Sequence, residues 1–170
     1  MKKLCFGMIL VLMLGGCGNP AVFETMSDTY LVPEAVPAQQ TSMLLSENSV
    51  IEIENTSSND SIYLCDDYCV MVQTFASGDI DATIRSITGY AKDQLLVMQR
   101  EVGDIRSYEC VWASAGEGGD QMGRTIILDD GNHHYTLSVM ADAEDAGELT
   151  DTWQLLLDSF QIGIPETNKG

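Results

Sequence analysis

Apolar and polar residues alternate in short segments after residue 41, and this period of two predicts β-strands. The segments are Ser42–Leu45, Val50–Glu54, Ser61–Cys65, Cys69–Phe75, Gln94–Val102, Arg106–Ala115, Met122–Leu128, His133–Met140 and a short last strand at Ile162 and Ile164. Alternation puts Val70 and Val72 on one face of their strand, with Met71 and Phe75 on the other. The strands between residues 94 and 140 follow one another closely, which predicts an antiparallel meander.

Turn-forming residues separate these strands. Asp66-Asp67 and Gly103-Asp104 predict the connections of two hairpins. Asp129-Asp130-Gly131-Asn132 is the clearest hairpin signal, because Asp-Gly supplies the positive φ angles of tight turns. The stretch Gly116–Asp120 predicts a mobile acidic loop between two strands. It lacks the Lys-Ser/Thr pair of a phosphate-binding P-loop, and its Glu and Asp would repel phosphate.

Two segments have helical periodicity instead. Asp79 is placed to cap a helix whose apolar positions are Ile80, Ile84 and Ile87, and Gly89 is expected to end it. A second helix, near the C-terminus, has an apolar stripe formed by Leu149, Trp153, Leu156, Leu157 and Phe160. We expect both helices to pack on the sheet, with Trp153 as an aromatic anchor of the second.

These elements predict one α+β domain in residues 41–164, an antiparallel β-sheet with helices packed on it. Residues 17–40 contain three prolines and no sustained apolar period, so we interpret them as a lipidated cysteine followed by a flexible tether. Residues 165–170 form a polar tail. Residues 1–16 are interpreted separately, as a signal peptide.

The first seventeen residues have the organisation of an export signal. Lys2 and Lys3 precede an apolar run from Leu4 to Leu14, which is about half the ~20 residues that a membrane-spanning helix needs. The sequence Leu14-Gly15-Gly16-Cys17 resembles the lipobox of bacterial lipoproteins. That resemblance implies cleavage before Cys17, attachment of diacylglycerol to its sulfur, addition of a fatty acyl chain such as palmitate, and residence in the cell envelope. An ordinary secretory signal with an incidental Cys17 is the alternative.

The charge balance limits the classes of partner. The chain has 26 Asp and Glu against 8 Lys and Arg, a formal net charge of −18. Such a protein lacks the clustered cations that bind nucleic acid or anionic lipid. Membrane attachment is therefore expected through the acyl chains alone, for which two chains give a stable anchor. A solvated acidic surface explains the charge, with binding of cations or cationic partners as the alternative.

The cysteines of the predicted domain are Cys65, Cys69 and Cys110. Export permits disulfides, and a bridge between Cys65 and Cys69 would close a short loop. Cys110 is the other possible partner for either residue. It lies within a strand pattern, which also predicts a small buried side chain.

No catalytic motif was found, so no catalytic residue and no cofactor are assigned. His133 and His134 are adjacent in a strand and point to opposite faces, which prevents easy sharing of one metal ion. Closed metal sites are not predicted. A loose Ca²⁺ site formed by carboxylates is kept as a hypothesis, because hard cations accept irregular oxygen ligands. Its candidate ligands are Asp66, Asp67, Asp129 and Asp130.

The C-terminal region resembles the PsbP-like proteins. These proteins have a Tyr-x-Leu-x-Val strand, an acidic connection and a helix that ends in Leu-x-Ser-Phe. The matching stretches here are Tyr135-Thr136-Leu137-Ser138-Val139 and Leu157-Asp158-Ser159-Phe160. The resemblance implies an α/β/α sandwich used for binding or assembly, and it transfers no catalytic residue.

Three hypotheses of function follow. The leading one is a lipid-anchored extracytoplasmic binding or accessory lipoprotein that is not an enzyme. Its expected partners are the membrane, through its anchor, and an envelope protein. An envelope enzyme whose carboxylates converge in the fold is the second. It predicts a concave pocket containing Trp112, Glu117, Asp120 and a histidine. A divalent-cation-binding lipoprotein is the third. The oligomeric state is not predicted.

Overall fold

The fold was obtained as a computed structural model that describes residues 36–45, 50–55, 60–116 and 119–163. The strands are β1 Thr41–Ser42, β2 Val50–Asn55, β3 Asp60–Leu64, β4 Cys69–Ala76, β5 Val97–Val102, β6 Ile105–Gly116, β7 Gly119–Asp129, β8 His133–Asp142 and β9 Gln161–Ile162. The helices are α1 Ile80–Thr88 and α2 Thr150–Ser159, with a 3-10 turn at Lys92–Gln94. The predictions for Cys17, Glu117 and Ile164 lie outside the described residues.

Seven strands form one antiparallel sheet in the order β2-β3-β4-β8-β7-β6-β5. The long strands β6, β7 and β8 are joined by short connections and form the centre and one side of the sheet. The chain crosses over once, between β4 and β5, and α1 lies in that crossover. Strands β1 and β9 pair separately through Thr41 with Ile162 and Ser42 with Gln161. The edge strands of the large sheet are therefore β2 and β5.

One face of the sheet, called here the α2 face, is covered by the C-terminal helix. Trp153, Leu156 and Leu157 of α2 are buried against an apolar set contributed by β4, β7 and β8. That set consists of Val70, Val72, Leu128, Tyr135, Leu137, Val139 and Ala141. Ala38 also packs there, and the backbone N–H of Gln39 donates to the Tyr135 hydroxyl at 2.9 Å. Contacts with the core thus begin before the first strand.

The opposite face, called here the α1 face, carries the first helix. Asp79 caps α1 by accepting a hydrogen bond from the Asp81 backbone N–H, and Gly89 ends the helix with a φ of 79°. Ile84 is buried against Tyr108 and Ile127, while Ile80 and Ile87 pack around them. Helices therefore lie on both sides of the sheet, and the predicted α+β class with an α/β/α arrangement is confirmed.

Several element boundaries differ from the sequence predictions. Of the first predicted segment, Ser42–Leu45, only Ser42 is strand, because β1 spans Thr41–Ser42. Residues 92–94 form a 3-10 turn before β5 begins at Val97. The predicted loop Gly116–Asp120 is wrong as an element, because Gly116 pairs with Gly119 and strand continues to both residues. Glycine content indicated a loop, but the β6–β7 ladder extends to Gly116 and Gly119, because the low β-propensity of glycine is overridden by strand pairing here.

Candidate functional site

A groove lies on the α2 face between the C-terminal half of α2 and strands β5 to β7. It encloses about 220 Å³. Its apolar lining consists of Met98, Val102, Ile105, Ile126, Leu128, Leu157 and Phe160. Its polar lining consists of Arg100, Ser107, Glu109 and Asp158. The groove exists because α2 covers the β4–β8 side of the face and leaves the β5 edge open.

A hydrogen-bonded chain of side chains fixes the wall of the groove. Arg124 of β7 forms an ion pair with Glu109 of β6 and donates to the Gln154 side-chain oxygen of α2 at 2.8 Å. The Gln154 amide in turn donates to Asp158 at 2.8 Å. Both lining carboxylates, Glu109 and Asp158, are therefore engaged within the protein. This chain ties α2 to the sheet where the groove begins.

Arg100 differs from the other described cations. Arg85, Arg106 and Arg124 each form an ion pair, with Asp81, Asp129 and Glu109 respectively, and Lys92 lies 5.2 Å from the centre of the Tyr108 ring. Within the described ranges, the side chain of Arg100 makes neither an ion pair nor a hydrogen bond. Its exposed side chain lies on the groove side of β5, between Met98 and Val102. The groove thus combines apolar walls with one guanidinium available to a ligand.

The four candidate Ca²⁺ ligands divide between two ends of the sheet. Asp66 and Asp67 occupy the turn before β4, whereas Asp129 and Asp130 lie beyond its other end, where Ala76 pairs with His133. The eight residues of β4 separate the pairs by roughly 25 Å. The four carboxylates therefore cannot hold one ion together. Among the described residues, no cluster of three or more His, Cys, Asp or Glu side chains is placed to bind a metal.

The carboxylates at the β7–β8 turn have partners within the protein. Asp129 is buried, pairs with Arg106 at 2.8 Å and accepts the Gly131 backbone N–H. Asp130 accepts hydrogen bonds from the backbone N–H groups of residues 132 and 133. Burial raises the pKa of Asp130, but these bonds outweigh it and the net pKa is lowered. Both groups stabilise the predicted turn.

His134 belongs to a closed polar cluster under α1. Its side chain is 1 % exposed, its Nδ1 lies 2.8 Å from the Thr83 hydroxyl, and its Nε2 lies 3.8 Å from Asp129. Burial lowers the pKa of His134, and the nearby carboxylate of Asp129 offsets part of that decrease. His133 lies on the α2 face beside Tyr135. The cluster contains the residue types of a hydrolytic triad, but Thr83 and His134 are both buried, so a substrate has no access to them.

The pocket expected of an enzyme is not formed by the residues that the structure describes. Trp112 lies flat against the sheet over Gly123, in the middle of β6 and β7. Asp120 is the second residue of β7, whereas His134 pairs with Asp129 at the far end of that strand, roughly 30 Å away. Trp112 Nε1 donates to Thr125 at 2.9 Å, and Thr125 lies 2.9 Å from the Ser138 hydroxyl. Trp112 is therefore part of the core.

The cysteines differ in their surroundings. Cys65 and Tyr68 flank the Asp66-Asp67 turn and pack on the α2 face, and burial together with the neighbouring Cys65 raises the pKa of Tyr68 to about 12. Cys69 pairs with Leu64, and strand alternation directs it to the α1 face. The candidate bridge between Cys65 and Cys69 stays a prediction.

Cys110 is buried, as the sequence predicted. Burial, with a further contribution from the charge of Glu109, raises the pKa of this thiol to about 11. The reactive thiolate is therefore scarce at neutral pH.

Comparison with known proteins bears on the fold. The family models and curated protein sequences compared with this chain gave no match. The chain is similar to the solution structure of a cyanobacterial PsbP (CyanoP) from Synechocystis, with a TM-score of 0.51, 8 % identity, and coverage of 88 % of this chain and 98 % of that one. The fold is PsbP-like. At this identity the similarity shows the fold alone.

Two further structures are similar. One is a crystal structure from Bacteroides thetaiotaomicron, with a TM-score of 0.50 and 10 % identity over 74 % of this chain and 46 % of that one. The other is LpqN, described as involved in cell envelope biogenesis of Mycobacterium tuberculosis, with a TM-score of 0.47 and 10 % identity over 75 % of this chain and 85 % of that one. Within the described ranges, no helix is both long and apolar enough to cross a membrane.

The groove and Arg100 were not found from the sequence. Arg100 occurs in an ordinary alternating strand, and its neighbours gave no motif. The only available signal was that Met98, Arg100 and Val102 share one strand face. That shared face indicates a binding surface only because β5 is an edge strand, and sequence periodicity does not reveal which strands lie at an edge.

Proposed function

We propose that this protein is a lipid-anchored extracytoplasmic binding or accessory module without catalysis of its own. The observation that carries the binding role is the groove beside β5, with its apolar walls and the unengaged guanidinium of Arg100. Pockets that bind ligands commonly pair apolar walls with a few placed polar groups. The PsbP-like fold is compatible with such a role.

The proposed location rests on residues 1–17. The lipobox-like Leu14-Gly15-Gly16-Cys17 supplies a site for acylation, and the net charge of −18 disfavours adhesion to anionic lipid by any other route. Cys17→Ser is expected to release the protein from the membrane fraction. Retention of the variant at the membrane would contradict the anchor.

The binding role is tested by capture from envelope extracts. The lipidated protein is compared with a soluble version that begins at Gly18, so that partners of the domain are separated from those that need the anchor. Each form is also prepared with Arg100→Glu, which reverses the charge in the groove. Arg85→Glu is the matched control, because Arg85 is an exposed arginine on α1, away from the groove. Partners lost with Arg100→Glu and kept with Arg85→Glu support the proposal, and a capture profile indifferent to both refutes the groove as the site.

A further inference from the structure

Strand β5 presents an open backbone edge beside the groove. It is the last strand of the described sheet, and residues 98 to 102 are all exposed. Met98 is 44 % exposed and Val102 is 77 % exposed, although both are apolar. Edge strands with unpaired N–H and C=O groups are templates for adding another strand.

The register shows which backbone groups face outward. Val102 pairs with Ile105 across the two-residue turn Gly103-Asp104. The pair that closes such a turn exchanges hydrogen bonds, and hydrogen-bonded pairs alternate with non-bonded pairs along an antiparallel ladder. Met98, Arg100 and Val102 therefore bond to β6. The N–H and C=O groups of Gln99 and Glu101 point away from the sheet.

The side chains of β5 form a two-sided charge pattern. On the groove side, Arg100 lies between Met98 and Val102, and on the other side Gln99 and Glu101 are exposed. Among the described residues, neither Arg100 nor Glu101 takes part in an ion pair. On the groove side, Arg100 is the charged residue of the edge strand itself, whereas Asp158 belongs to α2 and Glu109 to β6.

We propose that β5 binds an extended segment of a partner protein as an additional antiparallel strand. The matching segment has the pattern apolar, basic, acidic, polar, apolar. These positions lie opposite Val102, Glu101, Arg100, Gln99 and Met98, respectively. Main-chain hydrogen bonds to Gln99 and Glu101 give affinity, and the alternating side chains give specificity. This inference rests on the proposed binding role and names the class of partner for the same site.

A second copy of this chain is a poorer occupant. Two-fold antiparallel pairing of β5 with itself over residues 98–102 places Arg100 opposite Arg100, and like charges directly opposite each other destabilise a strand pair. Each copy also carries a net charge of −18. A partner segment with a local excess of lysine outside the matched positions avoids both penalties.

The test uses the full chain in detergent and a labelled synthetic peptide with the core Val-Lys-Glu-Thr-Val and a terminal lysine at each end. Binding is measured by fluorescence polarisation, and amide hydrogen exchange is followed by NMR. We expect exchange to slow at Gln99 and Glu101. The control peptide Val-Glu-Lys-Thr-Val has the same composition but reverses both charge pairs, and it should bind about tenfold more weakly.

Two matched changes separate strand addition from simple groove binding. N-methylation of the peptide threonine, whose N–H faces Gln99, should abolish binding, while N-methylation of its glutamate, whose N–H faces away, should not. The variant Arg100→Glu/Glu101→Arg should reverse the preference between the two peptides. Because both residues are exposed, the fold is expected to persist, and the peptide modifications test the idea without altering the protein.

The outcomes are distinct. Equal binding of both peptides, or no binding at millimolar peptide, overturns strand addition. The charges of β5 would then serve to protect the edge strand from pairing with other chains. Dimers that form without peptide in sedimentation would assign the site to a second copy of the chain. Binding of a fatty acid without slower hydrogen exchange at Gln99 would assign it to a lipid. Either result also overturns strand addition. If the peptides fail while envelope capture remains sensitive to Arg100→Glu, only the strand-addition inference falls and the proposed function stands.

Discussion

Strand β8 is buried on both faces, and its two faces have different chemistry. Toward α2 it presents Tyr135, Leu137, Val139 and Ala141, which pack in the main apolar core. Toward α1 it presents His134, Thr136 and Ser138, all of them buried polar groups. One face is stabilised by removal of apolar area from water, whereas the other depends on hydrogen bonds between side chains.

The two helices therefore contribute differently to the stability and the alignment of the fold. The α2 face tolerates changes that keep apolar volume, because burial is non-directional. The α1 face has hydroxyl, indole and imidazole groups that each need a partner in a fixed position. We therefore expect the α2 face to supply most of the free energy of unfolding and the α1 face to fix how the strands and α1 align.

The largest effect is expected from Trp153→Ala on the α2 face. Trp153 is 1 % exposed, so the substitution leaves a large cavity and should lower the free energy of unfolding by about 3–5 kcal/mol. Leu155→Ala on the same helix is the control, since Leu155 is 73 % exposed and should change stability by less than about 0.5 kcal/mol. Urea unfolding measures both. Unchanged stability of Trp153→Ala would refute the packing of α2.

A smaller effect is expected from Thr125→Val on the α1 face. The change keeps the side-chain volume but leaves the Trp112 indole N–H and the Ser138 hydroxyl without their partner. We expect a loss of about 1–3 kcal/mol in the free energy of unfolding. The double variant with Ser138→Ala should lose less than the sum of the single variants. Full additivity would show that the hydroxyl pair is not coupled.

Gly123→Ala should cost about 1–2 kcal/mol, because a Cβ at this position would overlap the Trp112 ring. The ring is held by its bond to Thr125 and cannot move without breaking it. Gly147→Ala is the control, as a Cβ there meets nothing. Indole fluorescence and urea unfolding follow the two variants. Equal stability of both would mean that Trp112 does not lie over Gly123.

The smallest effect is the pH dependence contributed by His134. Burial lowers its folded-state pKa, so below about pH 6.5 the unfolded state binds a proton before the folded state does. Its contribution is fully present above that pH and is lost as the pH falls through the folded pKa. The free energy of unfolding is measured between about pH 5 and 8 for the parent protein and for His134→Gln, with His133→Gln as the control. A slope unaltered by His134→Gln would exclude this residue.

Much of the secondary structure was predictable because its signals are local. The alternation in residues 69–75 and 133–140, the Asp79 cap, Gly89 and the Asp129–Asn132 turn all occur as predicted. The stripe of Trp153, Leu156 and Leu157 also predicted a buried helix face. Errors occurred where pairing overrode composition, as in the glycine-rich residues at the β6–β7 connection. There, the ladder extends to the Gly116–Gly119 pair.

Most elements, their buried faces and the resemblance of the start to a lipobox could be read from the sequence, because each depends on residues a few positions apart. The folded chain was needed to show that β5 is an edge strand, that the Arg100 side chain lacks the ion pair the other described arginines make, and that the acidic turns lie at opposite ends of β4. Strand order depends on pairing between distant residues, and side-chain periodicity gives the face of a strand without naming its neighbour.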